Sequence, residues 1–317
     1  METDSGAFGA AASGTESDDG NSGAARSGVQ AHGGPLPGAS MEMVRPPAYG
    51  RGIFVSLGCS AAVFALAIMA SGGKPNSTGV PLSETTTPLF WGLAVILVAL
   101  TAIGAQYSEV MAARASEAMG GLRFQRPLPT AWAAPAVAAM TAVLMVATYH
   151  NRLMLAVGPA MAFIGVAGGL LARDLLVDAT DSTLRTASTI HTLAIHTVAF
   201  FALSAIYINK MSNLIAVPLV ALVSGLLILE ALERGTALPE QRVLYASLGA
   251  FVMAQTAIAV NWWPTHGWTG GAALLVCFFA VCGVLVTRTE RTSLRQRDLL
   301  EYGLVSIVGL AILALTL

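Results

Sequence analysis

Nine long apolar runs, almost free of charged residues, occupy most of the sequence after residue 50. They lie near residues 53–71, 89–106, 130–148, 154–172, 188–208, 213–230, 243–261, 269–287 and 300–317. About 20 apolar residues in a helix cross the hydrocarbon core of a bilayer, where a helix satisfies its own backbone hydrogen bonds. Charged residues are 11% of the chain, against roughly 25% in soluble domains. The sequence therefore predicts an all-α, polytopic transmembrane bundle of nine spans.

The N-terminal segment has a different composition from the rest of the chain. Residues 1–50 contain ten glycines, many Ala and Ser residues and very few large apolar side chains. Such a segment buries too little surface to offset its chain entropy, so we predict a disordered tail over 1–50 and a membrane domain over 51–317. The tail lacks the basic and apolar regions of a cleavable signal, and the first run is expected to be an uncleaved signal anchor.

The basic residues alternate between the two sides of the predicted bundle. Fourteen of them precede or follow the runs on one side: Arg26, Arg45, Arg51, Arg114, Arg123, Arg126, Arg173, Arg185, Arg234, Arg242, Arg288, Arg291, Arg295 and Arg297. The other side has only Lys74, Arg152 and Lys210. Because Lys and Arg are retained in the cytoplasm, the N-terminus is predicted to be cytoplasmic and the C-terminus external. The last run is expected to be the shortest, with a surface-lying helix as its alternative.

The segment VNWWPTHGWTGG links the seventh and eighth runs and carries no formal charge. Trp262, Trp263 and Trp268 would lie at headgroup level, where the amphipathic indole ring is favoured. Gly270 and Gly271 would let the eighth span approach a neighbour closely. One interpretation is an aromatic belt around a tight turn. The other is an external pocket for a lipid or a protein partner, formed by these tryptophans, Asn261 and His266.

Polar side chains within spans are candidates for function, because the bilayer disfavours them. His196 lies about 12 Å from the end of the fifth run at 1.5 Å per residue. His191 precedes it by five residues and points about 140° away, so the two cannot hold one metal or haem. Gln255 and Asn261 on the seventh run are expected to form hydrogen bonds between helices. We predict no cofactor and no metal.

No acidic or basic residue lies near the middle of any run. Ion-coupled transporters and proton pumps need such groups at the midplane, so the sequence disfavours a driven transporter. A lipid or small-molecule permease stays open as an alternative, with a polar path through His196 or Gln255. No basic patch of the kind that binds nucleic acids is present.

The segment RDLLVDATDSTLR carries three aspartates at helical spacing, Asp174, Asp178 and Asp181. Carboxylates on one helix face suit Mg²⁺ and a diphosphate, and an Asp-x-x-x-Asp between spans is similar to the aromatic prenyltransferases. That family uses two acidic motifs, and the second is not found here. A Mg-dependent isoprenoid- or lipid-modifying enzyme is therefore a second alternative, and a solvated helix extension is the other interpretation of these residues.

The C-terminal part carries the motifs Asn261–Pro264, the Gly270–Gly271 pair and Glu301–Leu304, and the segment GLRFQRPLP comes before the third run. Together these motifs resemble a family of bacterial multi-pass membrane proteins known only as a domain of unknown function. The resemblance leaves out residues 1–50 and the first two runs. It implies a bacterial inner-membrane location and brings no activity, cofactor or catalytic residue.

Catalytic motifs such as Gly-x-Ser-x-Gly or His-Glu-x-x-His are not found in the sequence. Glycine and alanine are abundant where spans would meet, as at Gly165, Gly168, Gly169 and Gly283. The sequence therefore favours a compact, non-enzymatic bundle that is a subunit or scaffold of a membrane complex. Its expected partners are the lipid bilayer and other membrane subunits.

Overall fold

A computed structural model describes residues 48–71, 86–118, 129–149, 151–177, 183–209, 211–233, 238–263, 267–290 and 296–315. Every regular element in these ranges is an α-helix. The helices are α1 Ala48–Ser71, α2 Pro88–Ala118, α3 Ala133–Tyr149, α4 Met154–Val177, α5 Leu184–Ile208, α6 Asn213–Leu232, α7 Pro239–Trp262, α8 Trp268–Glu290 and α9 Gln296–Leu315. Residues 1–47, most of the predicted tail, lie outside the described residues.

Eight of these helices are long and apolar enough to cross a membrane, and only α3 is shorter among the described ones. The all-helical polytopic fold predicted from the apolar runs is therefore confirmed. With 17 residues, α3 is about 26 Å long at 1.5 Å per residue, somewhat less than the roughly 30 Å hydrocarbon core. A short helix is tolerated where its ends meet protein rather than lipid.

Helix α3 lies at the centre of the bundle and contacts α1, α2, α4, α5 and α6. Of its 17 residues, only Met140 and Tyr149 are not buried. The helix consists largely of Ala, Val and Thr, whose short side chains let several neighbours pack around it at once. Gly165 of α4, for example, lies so close that an added Cβ would be 2.8 Å from the Cβ of Ala138. The core therefore forms around the shortest helix.

Helix α9 is at the periphery and contains no buried residue. It packs against α8 and extends over 20 residues, because it begins at Gln296, before the apolar run. The expectation that the last run would be the shortest span was wrong, since the short element is α3. Residues 129–132 form turns ahead of α3, and the helix starts three residues later than the predicted run.

Contacts between distant segments define two ends of the bundle. Glu109, Thr130, Arg173 and Glu233 meet at one end. At the other end, the Nδ2 of Asn209 donates to the hydroxyl of Thr148 at 2.8 Å. The segments that share an end are those that the alternation of basic residues assigned to the same side.

Candidate functional site

Four charged side chains meet between α2, α4 and the C-terminal end of α6, and we call them the charged cluster: Glu109, Arg173, Glu230 and Glu233. The Nη2 of Arg173 donates to Oε2 of Glu233 at 2.5 Å. Its Nη1 lies 3.6 Å from Oε1 of Glu230, and its Nε lies 3.9 Å from Oε2 of Glu109. The Arg173 side chain is 4% exposed, and those of Glu230 and Glu233 are 3% and 7% exposed. The cluster is therefore an interior ion-pair network.

The same carboxylates bind the start of α3. The backbone N–H of Ala134 donates to Oε2 of Glu230 at 2.6 Å. The backbone N–H of Thr130 donates to Oε1 of Glu233 at 3.1 Å, and the Thr130 hydroxyl donates to that same oxygen. The first N–H groups of a helix lack partners within the helix and carry partial positive charge, so carboxylates are stabilising there. All four oxygens of Glu230 and Glu233 thus contact donors of the protein itself.

This arrangement positions helices rather than reactive groups. One guanidinium and one helix N-terminus compensate three carboxylates, and together they join α2, α3, α4 and α6 at one end of the bundle. Breaking a buried pair by removing one partner leaves an uncompensated charge, which costs roughly 3–5 kcal/mol. The charged cluster is best described as a structural clamp around the start of the central helix.

The sequence reasoning missed the charged cluster, because these residues were assigned to cytoplasmic ends and loops. The signal that could have revealed these residues is the apolar sequence around each of them. Arg173 stands in LLARDLLV and Glu230 in LLILEALE, with leucine and alanine on both sides. A charged residue inside a helix-forming apolar segment needs a buried partner.

At the opposite end, Nδ2 of Asn261 donates to Oδ1 of Asn213 at 2.6 Å, which ties the end of α7 to the start of α6. The next residue, Trp262, is 83% exposed. Trp263 follows the last residue of α7, and its backbone N–H donates to the carbonyl of Val260 at 3.1 Å. His266, which was also predicted to contribute to this segment's external pocket, lies outside the described residues.

Trp268 begins α8 and packs against the aromatic rings of α5. Its ring centroid is 5.9 Å from that of Phe200 and 6.3 Å from that of Phe201. Trp262 is exposed at the end of α7, and Trp268 is partly exposed at the start of α8. The aromatic-belt and external-pocket interpretations of this segment both stay predictions.

The Gly270–Gly271 pair lies where α8 packs closely against α5. A Cβ on Gly270 would overlap the ring of Tyr207. A Cβ on Gly271 would be 2.5 Å from Cα of Ser204, a backbone atom that cannot move away by a side-chain rotation. The close contact expected from the Gly-Gly pair is therefore present.

A second glycine contact joins α8 to α9. Gly283 accommodates the ring of Tyr302, since a Cβ there would be 2.8 Å from Cδ1 of that ring. The Tyr302 hydroxyl lies 3.2 Å from the hydroxyl of Thr287. The motif Glu301–Leu304 thus anchors the peripheral helix, while Glu301 itself is exposed.

His196 lies between α5 and α8. Its Nδ1 is 2.7 Å from the carbonyl oxygen of Thr192, and its ring is 5.5 Å from that of Phe278 and 5.7 Å from that of Phe279. These neighbours are those of a packed interhelical histidine. The polar path predicted through His196 or Gln255 stays a prediction.

Gln255 is on the exposed side of α7, and none of the hydrogen bonds among the described residues uses its amide. It lies seven residues before Trp262, or about 10 Å along the helix axis. Its exposed neighbours at spacings of four and three form what we call the outer face of α7: Leu244, Leu248, Phe251, Gln255, Ile258 and Trp262. The expectation that Gln255 bonds to a neighbouring helix of the same chain was wrong, because its side chain points outward.

Asp174 is half-buried at the end of α4, whereas Asp178 and Asp181 lie outside the described residues. Across the described ranges, no group of three or more His, Cys, Asp or Glu side chains could hold a metal ion. The aspartate motif therefore stays a prediction.

An apolar cleft of about 190 Å³ opens between α3, α4 and α5. It is lined by Ala138, Thr141, Met161, Ile164, Gly165, Val198 and Phe201. The one hydroxyl, that of Thr141, donates to the carbonyl of Val137 at 2.7 Å and is not available to a ligand. The apolar lining of the cleft therefore suits a hydrocarbon chain.

One protein family matches this chain. Its model, described as a protein of unknown function, DUF5656, covers residues 75–316. The chain belongs to this family. The resemblance to an uncharacterised domain family is confirmed, and its extent is corrected, because the family match includes the second run and α2 as well. No curated protein and no solved structure matches the chain.

Proposed function

We propose that this member of the family is a non-enzymatic subunit of a membrane complex, and that it binds its partner through the outer face of α7. The observation that carries the proposal is the exposed amide of Gln255 on a helix that is apolar enough to span a membrane. The Leu, Phe and Ile side chains on the same face can pack against lipid chains or against protein equally well. The amide of Gln255 finds hydrogen-bond partners only in protein.

The physical argument concerns the hydrogen bonds of that amide. A primary amide moved from water into an apolar environment without partners costs roughly 2–7 kcal/mol. At about 10 Å from Trp262, the amide is well inside the hydrocarbon region if that tryptophan lies at the interface. A second helix that offers a donor or acceptor at this depth removes the cost. Interhelical hydrogen bonds of this kind are a common means of association between spans.

The remaining candidate groups support a structural role. The charged cluster uses its carboxylate oxygens to hold the start of α3, and His196 packs among aromatic rings. From the arginine-rich ends and the family resemblance we also propose that the protein lies in a bacterial cytoplasmic membrane with its N-terminus in the cytoplasm.

Photo-crosslinking in intact membranes tests the proposal. A photoreactive amino acid replaces Phe251 on the outer face of α7, and the control replaces Ile307, which is exposed on α9. We expect a discrete protein adduct at position 251 and lipid adducts alone at position 307. Lipid adducts alone at both positions would overturn the proposal.

The apolar cleft between α3, α4 and α5 favours a second candidate function, which is the binding of a lipid or isoprenoid chain, as in a lipid permease. Its volume of about 190 Å³ exceeds the roughly 150 Å³ of an apolar cavity that accepts benzene. Each of the three helices contributes small or apolar side chains to the opening. A chain from the surrounding bilayer would replace empty space with dispersion contacts.

Lipid mass spectrometry of the purified protein tests this second candidate. Val198→Phe adds a ring within the cleft, and Val308→Phe adds the same ring on the exposed side of α9. If the cleft binds a specific chain, the first variant loses an enriched lipid that the second retains. Equal lipid profiles in both variants and the wild type would eliminate this function.

A further inference from the structure

We infer that the partner of the outer face of α7 is a second copy of this chain, with the two Gln255 amides hydrogen-bonded to each other. This inference rests on the proposed function and names the partner. The first reason is chemical. A primary amide both donates and accepts, so two glutamines can form a reciprocal pair.

The second reason is symmetry. Two copies in one membrane share their orientation, and a two-fold axis along the membrane normal brings the same residue of each copy to the same depth. A second copy therefore supplies a matching amide opposite Gln255. A different protein would need a polar group at that same depth on its own exposed face.

The third reason is the spacing of the outer face. Residues 244, 248, 251, 255, 258 and 262 are separated by four, three, four, three and four residues. Such spacing follows one face of any helix, and it also allows two copies of that face to pack knobs into holes with these residues at a and d positions. A single polar residue at an a position, which Gln255 occupies if Phe251 is at d, sets the register of such pairs and selects the partner. Leu248 and Phe251 on one side, and Ile258 on the other, would shield the amides from lipid.

The opposite side of α7 is already occupied. Ala246, Gly249, Met253, Ala257 and Val260 are its buried residues. Helix α7 packs against α6 and α8, and an added Cβ on Gly249 would be 2.6 Å from Cδ1 of Ile228. The helix is therefore fixed by its inner side, and its outer face is held in one orientation toward the membrane.

Two other hydroxyls on the spanning helices form hydrogen bonds within their own helix. The hydroxyl of Thr256 donates to the carbonyl of Val252 at 2.9 Å, and that of Thr197 donates to the carbonyl of Leu193 at 2.8 Å. The exposed large hydrophobic residues of α9 are all aliphatic, and from Tyr302 onward its surface suits lipid. This contrast points to α7 rather than α9 as the surface between copies.

Two measurements on the full chain test the inference. In the first, copies with two different affinity tags are co-expressed, and purification through one tag is assayed for the other. In the second, Ile258→Cys is introduced after Cys59, Cys277 and Cys282 are changed to Ala, and disulfide formation is followed in membranes. Ile307→Cys on α9 is the control. A melting temperature close to that of the wild type verifies the fold of each variant.

We expect the two tags to co-purify and Ile258→Cys, but not Ile307→Cys, to give a disulfide-linked dimer. Gln255→Leu should weaken dimerisation about eightfold, from two interhelical hydrogen bonds at an average of about 0.6 kcal/mol each. Gln255→Asn, which keeps an amide, should restore most of it.

If position 258 links to a different protein and the two tags do not co-purify, the inference is wrong and the proposed function stands. If position 258 forms a crosslink neither to a second copy nor to another protein, the inference and the proposed function are both wrong. Dimerisation that persists unchanged in Gln255→Leu would overturn the role of the amide.

Discussion

Arg173 and Glu233 form a 2.5 Å hydrogen bond between two side chains that are both more than nine-tenths buried, 60 residues apart in the sequence. The contact joins α4 to the end of α6, and the other oxygen of Glu233 accepts hydrogen bonds from Thr130 ahead of α3. The start of the central helix therefore depends on a charge pair that comes from two other helices.

Arg173→Met should destabilise the protein by about 3–5 kcal/mol, because it leaves Glu230 and Glu233 buried without their cation. The melting temperature in mild detergent measures this. Arg152→Met removes an exposed arginine at the other end and is the matched control, with little expected change. Equal melting temperatures for the two variants would show that the charged cluster does not stabilise the fold.

A double-mutant cycle isolates the pair itself. Arg173→Met and Glu233→Gln should show a coupling of about 0.5–3 kcal/mol, since each variant removes the same ion pair. Arg173→Met combined with Asn213→Ala should be additive within about 0.5 kcal/mol, because Asn213 begins α6 about 30 Å from Glu233. Additivity in the first cycle would contradict the geometry described for these two side chains.

Gly271→Ala should destabilise the contact between α5 and α8 by about 1–3 kcal/mol, since the new Cβ meets the backbone of Ser204. Gly168→Ala on α4 is the control. Nothing lies within 4 Å of its added Cβ, and alanine favours a helix over glycine. We expect a lower melting temperature for the first variant and an equal or higher one for the second. The opposite order would mean that these helices do not approach as described.

Tyr302→Phe should cost about 1 kcal/mol, because it removes the hydroxyl contact with Thr287 and keeps the ring on Gly283. Tyr302→Ala removes the ring as well and should cost about 3–5 kcal/mol. Chemical denaturation in detergent measures the free energy of unfolding of both variants. If the two variants lose the same stability, the ring contact contributes nothing and α9 is anchored elsewhere.

The orientation across the membrane stays a prediction from the arginine count, and labelling tests it. In a background with the three native cysteines replaced, Arg152→Cys should react with a membrane-impermeant maleimide from outside, and Arg185→Cys should not. Both positions are exposed and lie at opposite ends of the bundle. The reverse pattern would place the N-terminus outside.

Much of the fold follows from local properties of the sequence. Long apolar runs specify helices and spans. Gly270 and Gly271 indicate a close crossing of helices, because the effect of a missing side chain is local and steric. The same reasoning failed for Gly168, whose added Cβ would meet open space, since small residues show where helices can approach and not where they do.

The candidate site was less accessible from sequence. The partners of Arg173 come from two separate segments, α2 and the end of α6, and no local periodicity links them to α4. The outward direction of Gln255 depends on which side of α7 meets α6 and α8, and both sides of that helix repeat at similar spacing. The central position of α3 is likewise a property of the packed bundle, because small side chains permit close packing but do not show which helices surround α3.

Native mass spectrometry after mild extraction from membranes tests the central claim most directly, because it weighs the intact assembly. For the wild type we predict the mass of a complex between this chain and a protein partner, which in our inference is a second copy. For Gln255→Leu we predict a larger fraction of the single chain. A wild-type protein that appears only as a single chain with bound lipid would contradict a docking function for the outer face of α7.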